Sequence, residues 1–241
     1  MEESKNIKNR IIDSLGDEKA QRFQKLSKEF AKIMSYYKSA MLEVDARFHA
    51  LNEEYLFEHQ RSPISSIKTR MKTLPSIQEK MVRRNIPFTL EAMEQQLNDI
   101  AGVRVICAFP ADVYRMADSF LNQEDIVLLQ KKDYIAEPKP NGYRSLHLIV
   151  KVPVHLAAGK RMTKVEIQIR TIAMDFWASL EHQLRYKQDV EFSEEMAAEL
   201  YECAVLSAQL DNRMDALRSS VHGPKEAGMH NSNRKILATS G

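Results

Sequence analysis

The chain has 241 residues, 44% of them apolar and 28% charged, which excludes wholesale disorder and collagen-like architectures. Its 35 basic and 33 acidic residues leave a net charge of +2, so any basic surface for an anionic partner has to be local. Only seven glycines occur beside twelve methionines, which favours a helix-rich fold, and Cys107 and Cys203 lack the spacing of a zinc knuckle or a disulfide framework.

In chain order, the first predicted element is a long helix. Phe23, Leu26, Phe30, Ile33, Tyr37, Met41, Val44, Phe48, Leu51 and Tyr55 step by three or four residues, which puts them on one stripe of a helix about 50 Å long. Such a stripe packs in a core, or against another long helix within the chain or across a subunit interface. Residues 61–84 follow with seven cations (Arg61, Lys68, Arg70, Lys72, Lys80, Arg83, Arg84) against the single acid Glu79. Helical periods are predicted at 74–85, 89–98, 111–121 and 172–187. Four strands are predicted from alternation or a short apolar run: 103–109, 126–129, 146–151 and 165–170. A second long helix begins after Ser193, a suitable N-cap followed by Glu194 and Glu195. Its stripe is Met196, Leu200, Cys203, Leu206, Leu210, Met214, Leu217 and Val221. The polar stretch 222–241 is expected to be a flexible tail. The whole predicts an α+β fold, a mixed sheet of about five strands flanked by helices with long N- and C-terminal helices. No apolar run reaches the ~18 residues of a membrane span, so no membrane partner and a cytoplasmic location are expected.

Three features carry chemistry. Lys72, Ser76, Lys80 and Arg83 are four, four and three residues apart and share a helix face if the segment is helical, a cradle suited to a polyphosphate; a solvated basic face or an RNA-binding strip is the alternative. Glu166 lies in a strand whose one face reads Lys164, Glu166, Gln168, Arg170, and Asp99 lies where the helix 89–98 gives way to a strand. Two carboxylates on neighbouring strand ends suit a magnesium ion whose other ligands are waters and phosphate oxygens; separately, each suits a salt bridge. Residues 137–147, EPKPNGYRSLH, place Lys139, Tyr143, Arg144 and His147 on one Pro/Gly-containing loop, where an aromatic beside cations suits a stacked base as well as an ordinary turn.

Together, RMKTLPSIQEK at 70–80, NDIAGVRV at 98–105, KKDYIAEPKPNGYRSLH at 131–147, KVEIQIRT at 164–171 and WASLEHQLRYK at 177–187 resemble the synthetase domain of the RelA/SpoT-type alarmone synthetases. The resemblance covers about residues 62–188 and implies a nucleotidyltransferase-like fold. It divides the chain into an N-terminal helical region (1–60), a synthetase domain (61–188), a C-terminal helix (189–221) and the tail. The implied reaction transfers the β,γ-pyrophosphate of ATP to the 3′-hydroxyl of GTP or GDP, giving pppGpp or ppGpp and AMP.

On this resemblance Arg70 and Arg104 sandwich the adenine, while Lys72, Ser76, Lys80 and Arg83 hold the ATP phosphates. Asp99 binds Mg2+, and Glu166 assists the metal site and accepts the 3′-hydroxyl proton. Tyr143 stacks on guanine, with Lys132, Lys139, His147 and Gln168 around the acceptor.

No His-Asp dipeptide occurs in the chain, so alarmone hydrolysis is not expected. The resemblance is to the small synthetases of the RelP and RelQ types, which implies a homotetramer held by the terminal helices. Residues 130–133, QKKD, depart from the RxKD signature by a Gln, which leaves the preference between GTP and GDP open. Residues 65–69 carry no aromatic, which points to the RelP-like type without product activation. The alternatives are a catalytically silent nucleotide-binding module and an RNA-binding regulator.

Overall fold

The computed structural model describes residues 17–186 and 192–222; the predicted tail lies outside these, apart from His222, which ends the last helix. Helix α1 spans Asp17–His59. The middle of its stripe is fully buried, from Tyr37 through Met41, Val44 and Phe48 to Tyr55, whereas Phe23 and Leu26 at its start face outward. Gln60, at φ 56°, closes the helix in the left-handed region, its N–H donating to the Leu56 carbonyl.

Next comes a strand absent from the sequence prediction, β1 (Ile64–Met71). It lies at the sheet edge with five of its eight residues exposed, so no apolar alternation marks it. Helix α2 (Leu74–Arg83) follows, capped by Thr73, whose Oγ1 accepts from the Ser76 N–H. Lys72 therefore precedes the helix and is not on the face shared by Ser76, Lys80 and Arg83; the four-residue step was a coincidence of strand end and helix start. The remaining elements are α3 (Leu90–Gln96), β2 (Ala101–Cys107), α4 (Pro110–Leu121), β3 (Val127–Asp133), β4 (Leu146–Leu156), β5 (Gly159–Thr171), α5 (Ile172–Tyr186) and α6 (Glu194–His222). Phe109, predicted as strand, is the N-cap of α4, because Pro110 pre-sets the first helical turn.

The five strands run in the order β1-β2-β5-β4-β3, with β2 and β5 parallel and every other pairing antiparallel. The fold is α+β with a mixed sheet. One face is apolar: Val103, Val105, Leu146, Leu148, Val150, Val165, Ile167 and Ile169 are essentially inaccessible and share a core with α1, α2 and α4. Phe48 of α1 stacks on Phe120 of α4 at 4.7 Å between ring centroids and 6° between planes. The other face is polar. Helix α6 packs through Leu200 and Ala204 on Trp177 of α5, while Leu206, Leu210, Met214, Leu217 and Val221 of its stripe are exposed.

Phe48→Ala removes one ring of a fully buried stack and should cost about 3–5 kcal/mol in chemical denaturation; a cost below about 1 kcal/mol would mean that α1 is not tied to α4 through this contact.

Candidate active site

The strand register aligns the polar side chains in rows across the sheet. Lys68 of β1 pairs with Arg104 of β2, Arg104 with Gln168 of β5, Gln168 with His147 of β4, and His147 with Lys132 of β3. The adjacent row is Arg70, Gly102, Glu166, Ile149 and Gln130. Residues scattered over a hundred positions of sequence thus occupy two neighbouring lines on one surface. Gly102 leaves the row without a side chain between Arg70 and Glu166, where the sheet opens into a cavity.

That cavity, about 340 Å3, is lined by Arg70, Lys72, Asp99, Arg104, Glu166 and Gln168. A second, about 280 Å3, lies on the β3–β4 side and includes Lys80, Arg84, Lys132, Tyr134, Lys139 and His147. Asp99 and Glu166 line both. The two carboxylates therefore stand on the boundary between two cationic chambers.

Asp99 sits on the loop between α3 and β2. Its Oδ2 accepts from Lys72 Nζ at 2.9 Å and Lys80 Nζ at 2.5 Å. Burial alone would raise its pKa, but the hydrogen bonds from Lys80 and Lys72 more than reverse this and hold the carboxyl below its usual range. Asp99 Oδ1 is buried and takes no hydrogen bond among the described residues. Glu166 behaves oppositely: burial, and then the Asp99 charge, push it above the ordinary value, with Gln168 Nε2 donating to its Oε2 at 3.2 Å as a partial offset. Two neighbouring carboxylates with opposed shifts, one held below and one pushed above the ordinary range, form a pair suited to acid–base work. They also suit a hard divalent cation: one buried acceptor stands open, and such an ion commonly takes one or two carboxylates, with phosphates and water for the rest. Among the described residues no group of three or more potential metal-ligating side chains occurs.

Tyr143 is placed by a tight turn. Gly142, at φ +85°, donates its N–H to the Lys139 carbonyl, and the Tyr143 carbonyl accepts from the Lys139 N–H. A Cβ at residue 142 would meet the Ala204 methyl at 2.5 Å, so only glycine lets the turn pack on α6. The Tyr143 hydroxyl accepts from Arg170 at 2.5 Å and lies 2.8 Å from His147 Nε2. The other ring nitrogen, Nδ1, faces Glu166 Oε1 at 3.9 Å. Burial first, then the charges of Arg170, Lys139, Lys132 and Arg104, drive the His147 pKa down to about 3, so this contact is not an ion pair at neutral pH. Lys139 stands 4.7 Å over the rings of both Tyr134 and Tyr143.

Most predicted site residues therefore converge. Arg70, Lys72 and Arg104 meet in the first cavity; Lys132, Lys139 and His147 meet in the second, with Lys80 at the boundary and Tyr143 behind His147. Ser76 and Arg83 line neither cavity: Ser76 Oγ accepts from Thr73 Oγ1 at 3.0 Å, and Arg83 is exposed at the end of α2. Four of the seven cations of the basic segment turn onto acids distant in sequence: Arg61 onto Asp112, Lys68 onto Asp175, Lys72 and Lys80 onto Asp99. Sequence reasoning missed Tyr134, Arg84 and Asp175. Asp175 carried a signal, an acid in the first turn of a predicted helix, but nothing marked which cations it would face.

The family model described as "Region found in RelA / SpoT proteins" matches residues 69–191, a range that includes Asp99, Glu166 and most of the lining of both cavities. The chain belongs to the RelA/SpoT family. It is 43% identical over 185 residues to the GTP pyrophosphokinase YwaC of Bacillus subtilis, covering 77% of this chain and 88% of that one. To the GTP pyrophosphokinase YjbM of the same organism it is 34% identical over 201 residues, covering 83% and 93%. The crystal structure of small alarmone synthetase 1 from Bacillus subtilis bound to its product pppGpp superposes with a TM-score of 0.74 at 35% identity, covering 81% of this chain and 100% of that one.

His147 generates a direct test within this family member. Its folded-state pKa lies below the ordinary 6.5, so the unfolded chain binds the proton that the native site excludes; the residue's contribution to stability should rise with pH between about 3 and 6.5 and level off above. Nuclear magnetic resonance of the imidazole should show it neutral down to about pH 4; titration near 6.5 would mean that the ring is not enclosed by these cations.

Proposed function

We propose that the chain is a GTP/GDP 3′-pyrophosphokinase, a (p)ppGpp synthetase that moves the β,γ-pyrophosphate of ATP to the 3′-hydroxyl of GTP or GDP and releases AMP. The observation that carries this reading is the pair of cationic cavities meeting at Asp99 and Glu166, one chamber for each nucleotide and the acids at the junction. The relatives named GTP pyrophosphokinases and the pppGpp-bound structure support it.

In this reading Arg70 and Arg104 grip the adenine, and Lys72 and Lys80 face the triphosphate; Arg83 and Ser76, which line neither cavity, would meet it only where it extends beyond the cavity toward α2. Lys72 and Lys80, now held on Asp99, are the cations nearest the junction and suit charge that spreads over the transferred group. On the other side Tyr143 stacks on guanine, while Lys132, Lys139 and His147 surround the acceptor; Gln168, which lines the first cavity and donates to Glu166, meets the acceptor only at the junction. The 3′-oxygen attacks the β-phosphorus, the bond from that phosphorus to the α,β-bridging oxygen breaks, and AMP leaves with that oxygen. Glu166 takes the hydroxyl proton; its raised pKa strengthens it as a base while it is ionised. Asp99 and Glu166 are the residues that would hold Mg2+, which when bound supplies positive charge to the phosphate oxygens.

No helix among the described residues is long and apolar enough to cross a membrane. We place the enzyme in the cytoplasm with its nucleotide substrates, as a homotetramer; the uncovered stripe of α6 and the outward apolar start of α1 support assembly through these helices.

Incubation of the protein with Mg2+, γ-labelled ATP and either GTP or GDP should give a labelled guanosine penta- or tetraphosphate with stoichiometric AMP. Absence of product while both nucleotides bind would favour the silent module. Glu166→Gln should abolish turnover and leave nucleotide binding largely intact. In the native enzyme kcat should fall as the pH drops through a pKa above the ordinary 4.5, because only ionised Glu166 can accept the proton. Tyr143→Ala should weaken the guanine nucleotide by ~1–3 kcal/mol and ATP far less; equal losses would mean that the ring only supports its turn.

A further inference from the structure

Beside the two rows, three cations from three strands converge on one acid. Asp175, in the first turn of α5, accepts from Lys68 Nζ at 3.0 Å through Oδ2. Its Oδ1 accepts from an Arg104 terminal nitrogen at 3.1 Å and an Arg170 terminal nitrogen at 3.3 Å. Arg170 is 4% exposed and continues the chain of contacts. Besides the Tyr143 hydroxyl, it donates to Gln168 Oε1 at 2.9 Å and to Ser145 Oγ at 3.3 Å, and its guanidinium stands 5.1 Å from the Tyr143 ring centroid. Hydrogen bonds thus run unbroken from Arg104, in the first cavity, through Asp175, Arg170 and Tyr143 to His147, in the second.

Physical necessity puts the acid there. Arg104 and Arg170 are like charges in a desolvated place, and burial and then the Arg170 charge both push the Arg104 guanidinium down, while Asp175 opposes them. Remove the carboxylate, and the two guanidiniums lose the group that holds them side by side. We propose that Asp175 is a positioning residue that couples the two nucleotide subsites, holding Arg104 for the donor base and, through Arg170, the Tyr143 ring for the acceptor base. The inference rests on the reading of the cavities as donor and acceptor sites. A donor that fixes Arg104 also stiffens the contacts through Asp175 and Arg170 that carry the Tyr143 ring. Coupling of this kind is reciprocal: each nucleotide strengthens the other by the same factor.

The test is calorimetric titration of the full chain, in Mg2+, with GDP and with the non-transferable ATP analogue AMPCPP, each alone and in the presence of the other. In the native protein AMPCPP should tighten GDP by about fivefold or more, and GDP should tighten AMPCPP equally. Asp175→Asn keeps the shape and removes the charge; each separate affinity should fall roughly tenfold and the mutual effect should vanish, with KM for both substrates rising more than kcat falls. Arg170→Lys keeps a cation beside Asp175 but lacks the fork that spans Asp175 and Tyr143; it should lose the mutual effect while AMPCPP alone binds as before. It also serves where Asp175→Asn fails to fold.

Absence of mutual tightening in the native protein, or its persistence in whichever of the two variants folds, would overturn the proposal. So would a lowered Tm with the affinities and their coupling unchanged, the mark of a residue that merely ties α5 to the sheet. Product formation by the native enzyme keeps the two readings apart: no labelled product overturns the synthetase, whereas normal turnover with coupling intact in the variants overturns only the role of Asp175.

Discussion

The parallel pairing of β2 with β5 is the constraint on which the site depends. It places Gly102 opposite Glu166 and Arg104 opposite Gln168, and it joins two otherwise antiparallel halves, β1-β2 and β5-β4-β3, into one surface. The donor-side cations come from the first half and the acceptor-side residues from the second. A slip of one residue in this ladder would turn Glu166 and Gln168 toward the core and send Ile167 into the cavities. Burial of Val103, Val105, Val165, Ile167 and Ile169 under α1 and α4 excludes that slip, so the apolar face of the sheet guarantees the alignment of the polar one.

The polar face concentrates positive charge, and its electrostatics are set by how few acids answer it. Each acid has a distinct task. Asp99 neutralises Lys72 and Lys80 and keeps them within reach of the junction; Asp175 reconciles Lys68, Arg104 and Arg170. Glu166 has the weakest partnership, with a hydrogen bond from the Gln168 amide and a neutral imidazole 3.9 Å away. Desolvation is therefore the largest influence on its titration and holds its pKa above the ordinary value. The neutrality of His147 belongs to the same logic: in a buried place, a fifth positive charge beside Arg170, Lys139, Lys132 and Arg104 costs more than the proton is worth.

Much of this was legible before any coordinates. The period of residues 23–55 predicted a single amphipathic helix because a 3.6-residue repeat leaves apolar side chains on one face, whatever they pack on; only the part from Tyr37 to Tyr55 finds the core, and Phe23 and Leu26 stay exposed. The polar face of residues 164–170 was legible as either solvated or site-lining, since the two-residue repeat separates Glu166 and Gln168 from Val165 and Ile167. The motifs carried the family resemblance. Less legible was β1, an edge strand whose exposed polar residues follow no hydrophobic period, and with it the true place of Lys72, outside the helix that its spacing mimics.

The sequence by itself determined which segments are amphipathic, where turns must form and which residue types are present for phosphate chemistry, because these follow from local sterics and side-chain character. Only the tertiary structure decided which charges meet. That Lys72 and Lys80 share Asp99, that three cations from three strands share Asp175, and that Arg170 links Gln168 to Tyr143 all depend on strand order and register. Strand order and register arise from long-range pairing, and a charge carries no mark in the sequence of the distant partner that will neutralise it.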